Sequence, residues 1–89
     1  MNIPAENLDP VLKRLARAQG QLAAVIRMIE EERDCKDIVT QLSACTNALD
    51  RAGFALISTG LQRCIIDTDD ESERAENLAA MEKLFLTLA

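Results

Sequence analysis

The sequence predicts an all-α fold of three helices, and three observations carry that prediction. Apolar residues recur at helical spacing over two long stretches. Turn formers are scarce, with three Gly and two Pro among 89 residues. The apolar 48% is mostly Leu, Ala, Ile and Val, with Phe54 and Phe85 the only aromatics. Few turns and few aromatics leave little from which to build a many-stranded sandwich or barrel. A chain of this length holds one hydrophobic core, so residues 1–89 are expected to form a single domain, with 1–8 flexible.

The first helix is expected over 10–31. Asp9-Pro10 reads as an N-cap followed by proline at the first helical position. Val11, Leu15, Ala18, Leu22, Val25 and Ile29 then alternate steps of four and three. Gly20 interrupts the helix at a cost of roughly 1 kcal/mol relative to Ala, and its small size would allow close approach of another backbone. After the polar break at Glu30–Asp34, Asp34 is a candidate N-cap for a second helix over 34–65. Its stripe is Ile38, Leu42, Cys45, Leu49, Ala52 and Leu56, widened by Val39, Phe54, Ala55, Ile57, Leu61 and Ile65. The third helix starts in Thr68-Asp69-Asp70-Glu71 and presents Ala75, Leu78, Met81, Leu84 or Phe85, and Leu88. The central helix would be about 48 Å long, too long for two shorter helices to cover on one side. Pairing with a second copy in an antiparallel two-fold dimer resolves this.

Composition removes several function classes. There is no His, which excludes His general bases, Ser-His-Asp and Cys-His catalysis, and every metal site that uses imidazole. Two aromatics cannot form a base-stacking platform. No general base or cofactor site is visible, so neither enzyme activity nor a cofactor is expected. No apolar run approaches the roughly 20 residues of a membrane span, and the N-terminus lacks the basic and apolar regions of a signal peptide. The expected location is the cytoplasm. The net charge of −5 is uneven: residues 1–63 are neutral, and the excess acid lies in 64–89. Within 11–29 there are Lys13, Arg14, Arg17 and Arg27 and no acid. Lys13, Arg14 and Arg17 cluster on one face of the first helix, with Arg51 near the middle of the second. Such a cluster is either a solvated face or a local phosphate-binding patch.

Cys35 and Cys64 stand at opposite ends of the expected central helix, about 43 Å apart along its axis. Twenty-nine steps of 100° leave them about 20° apart in azimuth, on one face. Two such helices crossing antiparallel near Leu49 and Asp50 would set Cys35 of one chain beside Cys64 of the other. Cys45 lies about 80° away, inside the apolar stripe, and reads as a buried core thiol. At a helix N-terminus, beside Arg33 and Lys36, Cys35 is biased toward the thiolate, an effect that Asp34 and Asp37 oppose.

Two segments bring a family into view. Arg14-Leu15-Ala16-Arg17-Ala18-Gln19-Gly20-Gln21-Leu22 resembles the R-x-x-R-x-x-G-Q signature of the copper-sensing operon repressor family (CsoR/RcnR-like). Asp34 to Ala44, DCKDIVTQLSA, resembles its C-x-D-[IV]-x-T-Q-[IL]-S-A signature, and Cys64 stands where the family has its second cysteine. The resemblance implies a three-helix protomer, an antiparallel dimer and a dimer of dimers. It also implies a cytosolic repressor that leaves operator DNA when an inducer reacts. Carried over, the DNA-contacting positions are Arg14, Arg17 and Arg51, with Lys13 adjacent. Gln21 belongs to the first signature.

The departures bear on the inducer. Copper members resemble a Cys-His-Cys pattern, and the His position here is Gly60. They often carry Tyr before the first Cys, where this chain has Asp34. The His-free pair Cys35 and Cys64 resembles the persulfide-sensing (CstR-like) branch. That resemblance implies an inorganic polysulfide or low-molecular-weight persulfide as inducer and an interprotomer di-, tri- or tetrasulfide between Cys35 and Cys64. Two readings stay open beside it: a Cu(I) sensor using the same two thiolates, and a structural helical adaptor with inert thiols.

Overall fold

In the computed structural model of the protein, residues 2–88 are described, apart from the side chain of Cys64. The elements are a 3-10 turn Ala5–Leu8, α1 (Asp9–Glu30), α2 (Cys35–Leu61), a π-helical turn Gln62–Ile66 and α3 (Glu71–Leu88). No strand occurs among the described residues, so the all-α expectation holds. The chain divides into two compact units that share α2. One is Pro10–Ala52; the other joins residues up to Asp9 with those from Gly53 onward.

In the first unit, α1 and the N-terminal part of α2 run antiparallel. Cys45 Sγ donates to the Ala18 carbonyl at 3.5 Å, and Arg14 Nη1 donates to the Arg51 carbonyl at 3.4 Å, so rising numbers on one helix meet falling numbers on the other. The buried residues are Val11, Ala18 and Val25 on α1 and Cys45 and Ala52 on α2, with Ile38 half-buried. Each set repeats every seven residues, the period of a coiled-coil seam. The seam is made of small side chains, which lets the two backbones come close. Cys45 is the core thiol that the stripe predicts.

The other half of each predicted stripe is not covered. Leu15, Leu22 and Ile29 are 41–57% exposed, and Leu42, Leu49 and Leu56 are 44–48% exposed. One apolar seam is filled within the protomer and a second, of leucines and isoleucine, stays open.

Two helix ends differ from expectation. Asp9 is not an N-cap: it is already helical (φ −50°, ψ −47°), because the 3-10 turn from Ala5 feeds straight into α1. At the second helix the Asp34 carbonyl accepts from the Asp37 and Ile38 amides, so the chain enters α2 at the expected place. Downstream, α2 stops at Leu61, short of the expected 65. The next turn is π-type, closed by the Asp67 amide donating to the Gln62 carbonyl at 3.2 Å. Gly60 and β-branched Ile65 and Ile66 weaken the regular helix here. Gly20 also departs from expectation, since nothing lies within 4 Å of where its Cβ would be.

In the second unit, Asp70 is the N-cap of α3. Its Oδ1 accepts from the Ser72 amide at 2.9 Å and the Glu73 amide at 3.5 Å. Of the apolar face expected for α3, only Met81 is buried; Leu78, Leu84, Phe85 and Leu88 are exposed. The buried edge runs instead through half-buried Arg74 and Asn77 to Met81.

α1 ends in a Schellman motif. The Arg33 amide reaches the Met28 carbonyl at 2.9 Å and the Glu32 amide reaches the Ile29 carbonyl at 3.1 Å. This places Glu32 at φ 54°, a left-handed conformation normally given to Gly. The strain predicts opposite signs for two substitutions. Glu32→Gly should hold or raise stability, by up to about 1 kcal/mol. Glu32→Val, whose β-branch tolerates this region worst, should lower it by at least about 1 kcal/mol. Urea midpoints of the two variants check this, and equal shifts would remove the argument.

Candidate functional site

The first unit carries a groove of about 590 Å³ lined by Arg14, Arg17, Gln21, Ala44, Asn47, Ala48 and Arg51. Helical spacing explains its walls. Arg14, Arg17 and Gln21 follow one another at steps of three and four along α1, and on α2 Asn47 and Ala48 lie three and four residues from both Ala44 and Arg51, so each set shares a face. The small residues Ala44 and Ala48 leave the volume. Three guanidinium groups therefore border one concavity, with no acid in its lining. Gln21 Oε1 is buried there without a hydrogen-bond partner.

Planar, permanently charged guanidinium forks suit bidentate contact with phosphate oxygens. The structure brings together three of the four basic residues that the sequence singles out. Lys13, the fourth, is exposed and is not part of the lining. Asn47 and the two alanines escape sequence reasoning, because nothing about an isolated Asn or Ala marks a groove floor until the opposite helix is placed.

The cysteines divide as follows. Cys35 is exposed at the first residue of α2, in the first unit. Cys45 is buried with its Sγ on the Ala18 carbonyl. Cys64 lies at the centre of the π-turn in the second unit, and its side chain is outside the described residues. The π-turn alters one part of the sequence argument. A uniform 100° step holds from Cys35 to Leu61 but not over the last three steps to Cys64, so the 20° difference in azimuth no longer follows. Gly60, one helical turn before Cys64, is buried against α3: a Cβ added there would lie 2.7 Å from Met81 Cε and 3.5 Å from Met81 Sδ.

Residues 7–87 match the profile of a family described as metal-sensitive transcriptional repressors. The chain belongs to this family. Over 57 residues it is 42% identical to the copper-sensing transcriptional repressor RicR of Mycobacterium tuberculosis, which covers 64% of this chain and 59% of RicR. It therefore spans less than two thirds of that relative's length. Over 77 residues it is 26% identical to the copper-sensing repressor CsoR of Bacillus subtilis, covering 86% of this chain and 76% of CsoR. Among solved structures, the Cu(I)-bound CsoR of Geobacillus thermodenitrificans aligns over 98% of this chain and 91% of its own, with TM-score 0.82 and 28% identity. A variant of the formaldehyde-responsive regulator FrmR from Salmonella enterica serovar Typhimurium shares the fold, with TM-score 0.86 at 21% identity over 99% of this chain and all of its own. The relatives named here are transcription regulators. None of this chain's described helices is long and apolar enough to cross a membrane.

Burial separates the two described thiols in a way that chemistry can read. In the native, reduced protein, iodoacetamide should label Cys35 directly. Cys45 should be labelled only as fast as the α1–α2 seam opens. Peptide mapping of a time course, repeated in urea, checks this; equal native rates would contradict the burial of Cys45.

Proposed function

We propose that this repressor senses reactive sulfur and not a metal ion, through Cys35 of one chain and Cys64 of its partner in an antiparallel dimer. The observation that carries this reading is the seat of Met81 against Gly60 in a chain without histidine. An imidazole at position 60 would have to displace the Met81 thioether end from its buried place. Two thiols are then left for an inducer to act on. The open seam of Leu15, Leu22, Ile29, Leu42, Leu49 and Leu56 supports assembly into a dimer and a dimer of dimers, since burial of exposed apolar area drives association. The protein is read as acting in the cytoplasm on operator DNA.

The chemistry balances without a further oxidant. Cys35 thiolate attacks the sulfane sulfur of a persulfide RSSH. A Cys35 persulfide forms and RS⁻ leaves. Cys64 thiolate attacks the inner sulfur of that persulfide; the interchain S–S bond forms and HS⁻ leaves. The two thiols are oxidised and the outer sulfane sulfur is reduced to hydrosulfide. If Cys64 has itself taken up a sulfur, the same displacement gives a trisulfide, and longer polysulfide donors give a tetrasulfide. The crosslink favours a dimer shape that does not fit the operator, and a switch of this kind needs a bias of several kcal/mol.

The relatives named as copper-sensing favour a second reading, in which the same two thiolates bind Cu(I). Intact mass spectrometry under denaturing, non-reducing conditions separates the two. Glutathione persulfide should yield a covalent dimer, with no added sulfur in a disulfide crosslink and one or two in a tri- or tetrasulfide. Cys35→Ser and Cys64→Ser should each abolish it, and Cys45→Ser should keep it. Tight Cu(I) binding that releases DNA, with no crosslink from persulfide, would replace the sulfur reading by the copper one.

For DNA, Arg14, Arg17 and Arg51 in the groove, with Lys13 beside it, are the proposed phosphate contacts. Each chain is formally −5, so binding relies on local charge and should be strongly salt-dependent. Arg17→Ala and Arg51→Ala should weaken binding to DNA from the protein's own promoter. Every phosphate that the variant no longer neutralises should reduce the salt slope by about 0.9. Fluorescence anisotropy across a salt series measures both, and unchanged affinity and slope would move the DNA face elsewhere.

A further inference from the structure

Arg74 breaks a local rule. It lies in the first turn of α3, where its amide donates to the Asp70 carbonyl at 2.9 Å. A helix N-terminus favours acids and disfavours cations, and the neighbouring first-turn residues Glu71 and Glu73 obey this. The reason for a cation here lies outside α3. Arg74 Nε donates to the Ile65 carbonyl at 3.0 Å, and its Nη2 donates to the Thr68 carbonyl. Nε and Nη2 share one edge of the guanidinium plane, so a single half-buried side chain holds both acceptors in a fixed fork. Ile65 lies in the π-turn and Thr68 two residues past its last residue, where helix carbonyls run out of regular partners. Cys64 is the residue before Ile65. The turn is tied once more on itself, by Arg63 to Asp67 at 3.7 Å, an exposed pair of small energetic value.

We infer that Arg74 is the positioning residue of the sensing turn: by holding the Ile65 and Thr68 carbonyls, it fixes the π-turn that carries Cys64. This rests on the proposed role of Cys64. Loading of Cys35 does not involve the turn. Closing the crosslink does, because Cys64 must reach the inner sulfur of the Cys35 persulfide, and HS⁻ leaves only when it arrives in line. The rate of an intramolecular step follows how well its partners are held. Arg74 therefore acts on closure and not on loading.

The test uses the full-length protein, wild type, Arg74→Met and Arg74→Lys, each treated with glutathione persulfide and quenched by acid over time. Mass spectrometry reads Cys35 persulfide and interchain crosslink separately. Hydrogen exchange reads the amides of 62–68 against those of 38–52. In Arg74→Met, loading should match wild type and closure should slow by about tenfold or more. Exchange should rise at 62–68 alone. Arg74→Lys, whose ammonium still donates to a carbonyl, should recover part of the closure rate. It also supplies the comparison should Arg74→Met fail to fold, in which case closure slower than wild type at equal loading supports the inference. Closure at the wild-type rate in a folded variant, with exchange at 62–68 unchanged, overturns the role of Arg74. Failure of the wild-type protein to crosslink at all, with Cys35 loaded, overturns the role of Cys64 instead.

Discussion

The close approach of α1 and α2 through small side chains is the constraint on which the first unit depends. Ala18 faces Cys45, and no larger pair would let the Cys45 thiol reach the Ala18 carbonyl. That spacing sets the register of the hairpin, and the register brings Arg14 to the Arg51 carbonyl. From there the groove follows, with guanidinium groups on both walls and alanine between them. Overpacking such a seam by a few methylenes typically costs about 1–3 kcal/mol. Here the same change would also part the arginines. Stability and the charged concavity are two results of one packing decision.

The small seam has a second result. It buries only Val11, Ala18, Val25, Cys45 and Ala52, and it leaves the larger members of both stripes outside. A globular monomer spends its leucines on its own core. This protomer holds them in reserve along an open line, and the residues inside are too few and too small to give a large margin of stability. In the proposed assembly folding and association are coupled, so a signal that alters how copies fit would also alter how firmly each copy is folded.

Periodicity made the helices legible, and with them the buried place of Cys45 and the basic cluster. It did not say which half of each stripe is satisfied within the chain, because Leu15 and Ala18 obey the same 3.6-residue rule and differ only in what stands opposite. Asp9-Pro10 was misread because a 3-10 turn upstream supplies the helical entry, and a short turn of this kind has no hydrophobic period. The end of α2 was misread for a related reason. The residues Leu61 to Ile66 are as apolar as a continuing helix. The regular helix gives way after Gly60 and Leu61 to a π-turn, and what closes that turn is Asp67, together with an arginine nine residues beyond Ile65 in the chain that takes its carbonyl. Capping of that kind is tertiary, and no window along the sequence contains it. Asp70 was legible within its segment because its acceptor serves amides two and three residues ahead. The groove was legible in its cations and illegible in its floor.

The contact between Gly60 and Met81 bears on how a fold of this kind could exchange one inducer for another. The two positions lie on different elements, and their side-chain volumes share one small space. A ring gained at 60 without a smaller residue at 81 is crowded. A smaller residue at 81 without a gain at 60 leaves a void, which is itself destabilising. Either step alone passes through a weakened protein, while the two together restore the packing. Under the proposed function, a change of inducer at position 60 would therefore take a paired substitution, one on α2 and one on α3.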